Sequence, residues 1–192
     1  MRIVAGQWRG RPIDAPEGRD TRPTTDRMRE SIASMILSAK ALDLSGLSVL
    51  DAFAGSGAMG LELLSRGAGN CTFVERDRQA LARVKRNAAS LGASRASCAV
   101  VGGDAFKLAA SASLPGAPFD IVFLDPPYAY EASRVTGLVE ALAEQGMLAK
   151  DAIVVYERAS SAPGLALAGA ELSKSKKHGT TCVDLWTYGG IS

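Results

Sequence analysis

Residues 49–60 read VLDAFAGSGAMG, and they join an apolar segment to a loop that is rich in glycine. Gly55, Gly57 and Gly60 match the spacing G-x-G-x-x-G, which marks a dinucleotide-binding loop when it follows a strand and opens a helix. Both conditions are met, because residues 49–53 are mostly apolar and a helical pattern runs on to about residue 66. The stretch therefore predicts a loop that binds an adenosine-containing ligand, and the alternative is a tight turn without a ligand.

The chain after residue 45 alternates between apolar segments typical of strands and amphipathic segments typical of helices. The predicted strands are residues 49–53, 71–75, 98–101, 121–124 and 152–156. Such alternation predicts a parallel sheet with helices on both faces. Two alternating segments near residues 170–175 and 181–188 predict a final hairpin, which adds at least one antiparallel edge strand.

The first 44 residues carry a different pattern. Residues 2–13 alternate loosely and predict a short β-hairpin or an extended arm, and residues 14–23 contain the prolines and glycine of a loop. Thr24 or Thr25 then caps a helix. Its apolar face carries Met28, Ile32, Met35 and Ile36, and its other face carries Arg27, Arg29 and Glu30. We expect residues 1–44 to form an N-terminal extension that faces the target, and residues 45–192 to form the ligand-binding core.

Length and composition predict one globular domain with a small extension. The chain has 192 residues, of which 47% are hydrophobic and 22% are charged. No apolar run has the length of a membrane span, and no apolar core of a signal peptide follows Met1, so the cytoplasm is expected. The cysteines are few, odd in number and far apart, which argues against disulfides and against a zinc site, and no metal is expected. His178, the single histidine, lies in what resembles an exposed turn and is a poor candidate for a catalytic base.

Positive charge is clustered although the net charge is only +2. Seven arginines lie within residues 1–30, and three lysines lie within residues 174–177. Arginine-rich segments suit phosphate contacts, and the alternative is a solvated face.

Three acidic side chains distinguish between the possible cofactors. Glu75 lies at the end of the second predicted strand, where an acid accepts hydrogen bonds from ribose hydroxyls. Asp51 lies four residues before Gly55, where a carboxylate disfavours a pyrophosphate but suits ammonium and sulfonium groups. Asp104 follows the third strand, where its side chain could accept a hydrogen bond from the adenine amine. These positions favour S-adenosylmethionine over NAD.

The tetrapeptide Asp125-Pro126-Pro127-Tyr128 follows the strand at residues 121–124. Ligands in open α/β sheets bind at the carboxyl ends of strands. Consecutive prolines stiffen the loop, Asp125 adds a side-chain acceptor and Tyr128 adds a flat aromatic face. These groups suit a nucleobase with an exocyclic amine, and a plain turn is the alternative.

Four stretches together resemble a known family. Residues 51–57 resemble motif I of class I S-adenosylmethionine-dependent methyltransferases, and residues 125–128 resemble motif IV of the branch that methylates exocyclic amines. Residues 1–11 and 22–30 resemble the N-terminal arm and signature of the bacterial 16S ribosomal RNA guanine-N2 methyltransferases, the RsmD type. Ala5 and Met28 depart from that pattern, where glycine and valine are usual.

The resemblance implies an α/β, Rossmann-like class I methyltransferase fold. It has a seven-stranded, mostly parallel sheet with a C-terminal antiparallel hairpin, helices on both faces, and a short N-terminal hairpin and helix. It also implies methylation of the N2 amine of a guanine in 16S ribosomal RNA, with the RNA or the assembling small subunit as partner. We expect the enzyme to act as a monomer.

The expected site residues fall into three sets. The catalytic set is Asp125, Pro126, Pro127 and Tyr128. The cofactor set is Asp51, Phe53, Gly55, Ser56, Gly57, Glu75, Asp104, Ala105, Thr24 and Arg27. The RNA-binding set is Arg2, Arg9, Arg11, Arg22, Lys174, Lys176 and Lys177.

Other functions share parts of this pattern. Motif IV also occurs in adenine-N6 methyltransferases of DNA or RNA and in protein glutamine methylases. A sequence-reading DNA methylase usually needs an added recognition domain, for which 192 residues leave little room. A catalytically inactive RNA-binding relative is disfavoured by the intact glycine loop and motif IV.

Overall fold

The computed structural model describes residues 1–15 and 25–189. Within these residues the chain forms seven strands and five helices. The strands are β1 Ser48–Asp51, β2 Asn70–Glu75, β3 Cys98–Gly102, β4 Phe119–Leu124, β5 Leu148–Ala159, β6 Ala170–His178 and β7 Thr181–Tyr188. The helices are α1 Asp26–Ala39, α2 Ala58–Ser65, α3 Arg78–Leu91, α4 Ala105–Ala110 and α5 Ala132–Glu144.

All seven strands belong to one sheet with the order β3-β2-β1-β4-β5-β7-β6. The first five are parallel to one another, and β7 pairs antiparallel with both β5 and β6. The predicted parallel sheet with a C-terminal antiparallel hairpin is therefore confirmed. Among the described helices, none is both long and apolar enough to span a membrane.

The two faces of the sheet are buried by different helices. Successive strand residues point to opposite faces, so Val49 packs with α1, α2 and α3, whereas Leu50 packs with α4 and α5. Ile121 and Val122 divide in the same way on the neighbouring β4. Both faces being covered explains why the parallel strands are almost continuously apolar.

The N-terminal arm, residues 1–15, packs into the same core as the sheet. A single bridge pairs Arg2 with Pro12, and Ile3, Trp8 and Ile13 are buried against the helical layer of α1 and α2. Gly6 has a φ of +81°, and a Cβ there would lie 1.9 Å from the Ser65 carbonyl oxygen. Only glycine allows this contact between arm and helix.

Two local predictions are wrong. Arg29 was expected on the charged face of α1, but it is only 1% exposed. Burial is possible because its guanidinium donates to the Arg2 carbonyl at 2.6 Å and forms an ion pair of 2.7 Å with Asp26. His178, expected in an exposed turn, is instead the last residue of β6, because residues 174–178 pair with β7, and the turn of the hairpin follows at residues 179–180.

The start of α1 agrees with prediction. Thr25 is the N-cap residue, and its hydroxyl accepts a hydrogen bond from the Met28 backbone N–H at 3.2 Å. Thr24 and Arg22, which we expected to bind cofactor and RNA, lie outside the described residues.

Candidate active site at the carboxyl ends of the strands

A cavity of about 1060 Å³ opens where the parallel strands end. Its walls include the glycine loop after β1, the end of β2, the start of α4 and the tetrapeptide after β4. The predicted cofactor and catalytic residues that line it are Asp51, Phe53, Gly55, Ser56, Glu75, Asp104, Ala105, Arg27, Asp125, Pro126, Pro127 and Tyr128. The topology thus brings together residues that are separated by up to 101 positions in the chain.

The glycine loop is shaped by close contacts. Gly57 is the N-cap residue of α2 and has a φ of +78°, a left-handed conformation that disfavours other residues. A Cβ at Gly60 would lie 2.4 Å from the ring of Phe73, so glycine lets α2 pack directly on β2. Gly57 itself is not among the residues that line the cavity, so its role is to shape the turn.

Asp51 lies at the floor of the cavity and is only 2% exposed. One of its oxygens accepts a hydrogen bond from the Gly60 backbone N–H at 3.1 Å. Burial, with smaller contributions from the charges of Asp125 and Glu75, raises the pKa of Asp51 to about 7. A cation bound beside this carboxyl group would favour its ionised form.

Glu75 connects the end of β2 to the loop after β1. Its Oε2 accepts the Gly55 backbone N–H at 2.9 Å, and its Oε1 accepts the Asp77 backbone N–H at 2.8 Å. Each carboxylate oxygen can accept more than one hydrogen bond, so Glu75 is held in place while it retains acceptor capacity for a ligand.

Asp104 is the N-cap residue of α4. Its side chain accepts the backbone N–H groups of Phe106 at 2.9 Å and Lys107 at 3.4 Å. The residue lines the cavity, but one oxygen of its carboxylate is engaged in starting the helix.

An aromatic group forms one wall, and of its three rings only Phe53 was predicted to bind the cofactor. The rings of Phe53, Phe106 and Tyr130 lie with centroids 5.4 to 6.1 Å apart. The Arg134 guanidinium covers Phe106 at 4.3 Å and Tyr130 at 4.5 Å from the ring centroids. These apolar faces, close to Asp104, suit a flat heterocycle. The signal was present in Phe106, which follows Asp104 by two residues.

The four residues of the tetrapeptide after β4 differ in their exposure to solvent. Asp125 is half-buried and Pro126 is buried, whereas Pro127 is exposed and Tyr128 is 64% exposed. The Pro127 carbonyl accepts the Tyr130 backbone N–H at 2.9 Å, which closes the turn. Burial raises the pKa of Asp125. Tyr128 therefore presents an aromatic face to solvent directly beside a partly buried carboxyl group.

Glu157 is a second carboxyl group at this position, and the sequence analysis missed it. Tyr156 of β5 pairs in register with Leu124 of β4, so Glu157 and Asp125 are the next residues on adjacent strands. Glu157 lines the cavity, is 7% exposed, and its Oε2 has no hydrogen-bond partner among the described residues. Burial, with a contribution from the Asp125 charge, raises the pKa of Glu157 to about 8. The available signal was an acid that directly follows a predicted apolar strand.

Basic side chains lie near one further part of the cavity wall, around His178. His178 lines that wall, and its Nε2 lies 3.2 Å from the Ser31 hydroxyl. Burial, and then the nearby charges of Lys176 and Arg27, lower the pKa of His178. The Lys176 ammonium donates to the same Ser31 hydroxyl at 3.0 Å.

The predicted RNA-binding residues that the structure describes, Lys176 included, are not among the residues that line the cavity. Arg2 forms an exposed ion pair of 3.0 Å with Asp26, and Lys174 lies on the exposed strand β6 with Lys177. Arg9 is exposed on the arm. Arg11 donates to the carbonyls of Leu91, at 2.8 Å, and Ser90, which are orphan acceptors at the end of α3. Arg11 thus stabilises the fold, whatever else it contacts.

Comparison with known proteins identifies the family. A family model described as "conserved hypothetical protein 95" matches residues 1–187. The chain is 39% identical over 157 residues to the ribosomal RNA small subunit methyltransferase D of Escherichia coli, covering 82% of this chain and 74% of that protein. It is 38% identical to the putative rRNA methyltransferase YlbH of Bacillus subtilis, covering 82% of both chains.

Solved structures agree with this result. The putative methyltransferase yhhF from Escherichia coli superposes with a TM-score of 0.79 at 34% identity, covering 98% of this chain and 97% of that one. The rRNA methyltransferase aviRa from Streptomyces viridochromogenes, at 18% identity and a TM-score of 0.68, shares the fold over 90% of this chain and 88% of its own. The chain therefore belongs to the family of the ribosomal RNA small subunit methyltransferase D proteins, as its resemblance in sequence predicted.

Proposed function

We propose that this protein transfers a methyl group from S-adenosylmethionine to the N2 amine of a guanine in 16S ribosomal RNA. The observation that carries the proposal is the position of Asp125, Pro126 and Tyr128 on the same cavity as the glycine loop, Asp51 and Glu75. A methyl donor and an amine acceptor can thus meet at one place. The family, whose members include small subunit methyltransferases, supports the nature of the substrate.

The residues of the cavity fit S-adenosylmethionine. Asp51 and Glu75 supply carboxyl groups for ammonium and hydroxyl groups, and the rings of Phe53 and Phe106 supply an apolar wall for an adenine. Burial raises the pKa of Asp51, and a positively charged group bound beside it would lower that pKa and favour the carboxylate. When bound, the cofactor supplies an electrophilic methyl group on a sulfonium.

Asp125 and Pro126 would hold the acceptor amine. An exocyclic amine is a weak nucleophile because its lone pair is delocalised into the base. The Asp125 carboxylate and the Pro126 carbonyl can accept its two N–H groups, which fixes the nitrogen and favours a more tetrahedral geometry. Such positioning contributes several kcal/mol to the lowering of a barrier, and the Asp125 charge stabilises the ammonium that develops.

Tyr128 would stack on the target base. Its ring is exposed beside Asp125, so a base must leave its helix or be unpaired to reach it. Stacking on an aromatic ring tolerates any base, and so Tyr128 contributes affinity without selecting the base.

Residues 1–44 and the basic side chains form the proposed RNA-facing part. Arg27 lines the cavity, and Lys176 lies near His178, which also lines it, so we assign both to contacts with the phosphates of a bound RNA. The RNA-binding proposal also includes Arg2, Arg9, Arg11, Arg22, Lys174 and Lys177, whereas Thr24 is proposed to contact the cofactor. We propose a cytoplasmic enzyme that acts as a monomer, without a metal, on 16S RNA or the assembling small subunit.

The test is methyl transfer followed by identification of the product. Purified protein is incubated with labelled S-adenosylmethionine and small ribosomal subunits that lack the modification, and the nucleosides are analysed by mass spectrometry. We expect labelled N2-methylguanosine, and fragment mapping then gives its position. Labelled N6-methyladenosine without N2-methylguanosine would overturn the substrate assignment.

Asp125→Ala provides the matched control for this experiment. The variant should lose turnover while still binding S-adenosylmethionine, because Asp125 holds the acceptor and not the cofactor. Binding is measured as the rise in melting temperature on adding the cofactor, since a ligand that binds only the folded state raises stability. Wild-type turnover in this variant would disprove the role of Asp125.

A further inference from the structure

We propose that the carboxyl group of Glu157 pairs with the N1–H and O6 edge of the target guanine, and that this contact selects guanine over adenine. The inference rests on the proposed function, and it assigns to β5 a recognition role that motif IV lacks. Asp125, Pro126 and Tyr128 offer only acceptors and an aromatic face, which would hold the amine of either purine.

Asp125 and Glu157 follow paired residues on the adjacent strands β4 and β5. Asp125 follows Leu124 on β4, and Glu157 follows its register partner Tyr156 on β5. Both residues line the cavity, and adjacent strands lie about 4.8 Å apart. A base whose 2-amino group is held by Asp125 extends the rest of its Watson–Crick edge along this direction, toward β5.

The side chain of Glu157 is buried, and one of its oxygens lacks a hydrogen bond from the described residues. Glu157 is 7% exposed, and its Oε2 has no partner among the described residues. A buried polar atom without a hydrogen bond is costly, on the scale at which proteins usually avoid it. Because this oxygen lies on the wall of a binding cavity, a ligand that forms a hydrogen bond with it would remove the cost.

The donor and acceptor of a neutral Glu157 carboxyl group match those on the edge of guanine. Burial, with a contribution from the Asp125 charge, raises the pKa of Glu157 to about 8, which favours its protonated form at neutral pH. A neutral carboxyl group presents one acceptor and one donor side by side, and guanine presents N1–H and O6 in the complementary order. An adenine with its amine at Asp125 would present an unprotonated N1 beside a C–H, so only one of the two hydrogen bonds could form.

The neighbouring charges do not compete for Glu157. The adjacent Arg158 forms an ion pair of 2.7 Å with Asp184, and it also donates to the carbonyl of Ala162 at 2.5 Å. On β7 the register partner of Glu157 is the apolar Val183. Asp125 is the carboxyl group that acts on Glu157 from β4.

The test compares guanosine with 2-aminopurine at the acceptor position. The second base keeps the 2-amino group but has an unprotonated N1 and no oxygen at position 6. Both are built into 16S RNA by ligation at the mapped position and assembled into small subunits. The readout is the ratio of kcat/KM for guanosine to kcat/KM for 2-aminopurine, which a purely structural role of Glu157 would leave unchanged.

Two variants give opposite expectations. Glu157→Met removes both hydrogen-bonding atoms at nearly constant length, and the ratio should fall from roughly 10- to 100-fold toward 1. Glu157→Gln retains an acceptor and a donor, and it should keep most of the preference. Glu75→Gln is the matched control: it should lower both rates by weakening the cofactor site and leave the ratio as in the wild type.

The outcomes separate the inference from the proposed function. An unchanged ratio in Glu157→Met, a ratio near 1 in the wild type, or a ratio lost in Glu157→Gln would overturn the role of Glu157. If the wild type transferred no methyl group to the guanosine-containing RNA, the proposed function itself would fail, and the inference with it.

Discussion

The backbone N–H of Val4 donates a hydrogen bond of 2.8 Å to the carboxylate of Glu62, in the middle of α2. The Ala5 N–H donates to the other carboxylate oxygen of Glu62 at 3.0 Å. That oxygen also forms an ion pair of 2.8 Å with the Arg66 guanidinium. Glu62 is fully buried. The helix that begins at the glycine loop is therefore also the support of the N-terminal arm.

Glu62→Gln should destabilise the fold. The substitution weakens three charge-assisted contacts and leaves Arg66 without its carboxylate, so we expect a loss on the order of 1–3 kcal/mol. The free energy of unfolding in urea measures it. Glu30→Gln, an exposed change on α1, should shift that energy by less than about 0.5 kcal/mol. Equal stability of the two variants would show that Glu62 does not hold the arm.

Lys176→Gln should weaken RNA binding and its dependence on salt. Lys176 lies beside the cavity wall, and each phosphate contact that is lost lowers the slope of log K against log salt by about 1. The measurement is a salt series of binding constants for 16S RNA. Arg95→Gln provides the control, because Arg95 lies in the loop before β3 at the opposite end of the sheet. An identical slope in the two variants would exclude Lys176 as a phosphate contact.

Single substitutions are the appropriate test for the arm as well. A deletion of residues 1–11 would remove the arginines of the arm, but it would also remove Ile3 and Trp8 from the core. The loss of RNA binding by such a deletion would report unfolding as much as lost contacts.

Tyr128→Ala should lower kcat/KM for RNA. The loss of stacking costs about 1–3 kcal/mol, and Tyr128→Phe should remain within about threefold of the wild type because the ring is kept. Single-turnover methyl transfer at subsaturating RNA gives the comparison. Wild-type efficiency in the alanine variant would mean that the base does not stack on this ring.

The raised pKa of Asp51 predicts how the stability of the ligand-free protein depends on pH. Its pKa in the folded state is about 7 against an ordinary value of 3.8, so the folded protein binds more protons than the unfolded chain between these values. Stability therefore falls as pH rises through this window. Asp51→Asn should remove part of this fall, on the order of 1–3 kcal/mol between pH 5 and pH 8.

Urea unfolding of the ligand-free protein at the two pH values measures this effect. Asp43→Asn is the control: Asp43 is exposed, and its hydrogen bonds from Ser45 lower its pKa, so it is ionised in both states throughout the window. If Asp51→Asn kept the pH dependence of the wild type, Asp51 would not be the group that titrates.

The sequence was sufficient to predict the sheet, the glycine loop and motif IV, because each is a local pattern with one physical explanation. Strands buried on both faces are continuously apolar, and Gly57 marks a left-handed turn at the start of a helix. Asp51, Glu75, Asp104 and Asp125 were found because they sit where strands end.

The missed residues depend on contacts between distant segments. Arg29 was placed on the solvent side because helical periodicity does not reveal that the arm covers it. Glu157 follows a strand as Asp125 does, but only the pairing of β4 with β5 brings the two together. Tyr130 and Arg134 join Phe106 through the packing of α5 against α4, which no local pattern indicates.

The strand β6 has a consequence for handling the protein. It is the outermost strand of the described sheet, and residues 171–177 are exposed. An open strand edge can pair with a second chain, and lysine side chains prevent this because they must stay hydrated. Lys174, Lys176 and Lys177 therefore keep the sheet from extending into an aggregate. Apolar replacements at these positions would promote self-association, so the same three residues govern solubility as well as any contact with RNA.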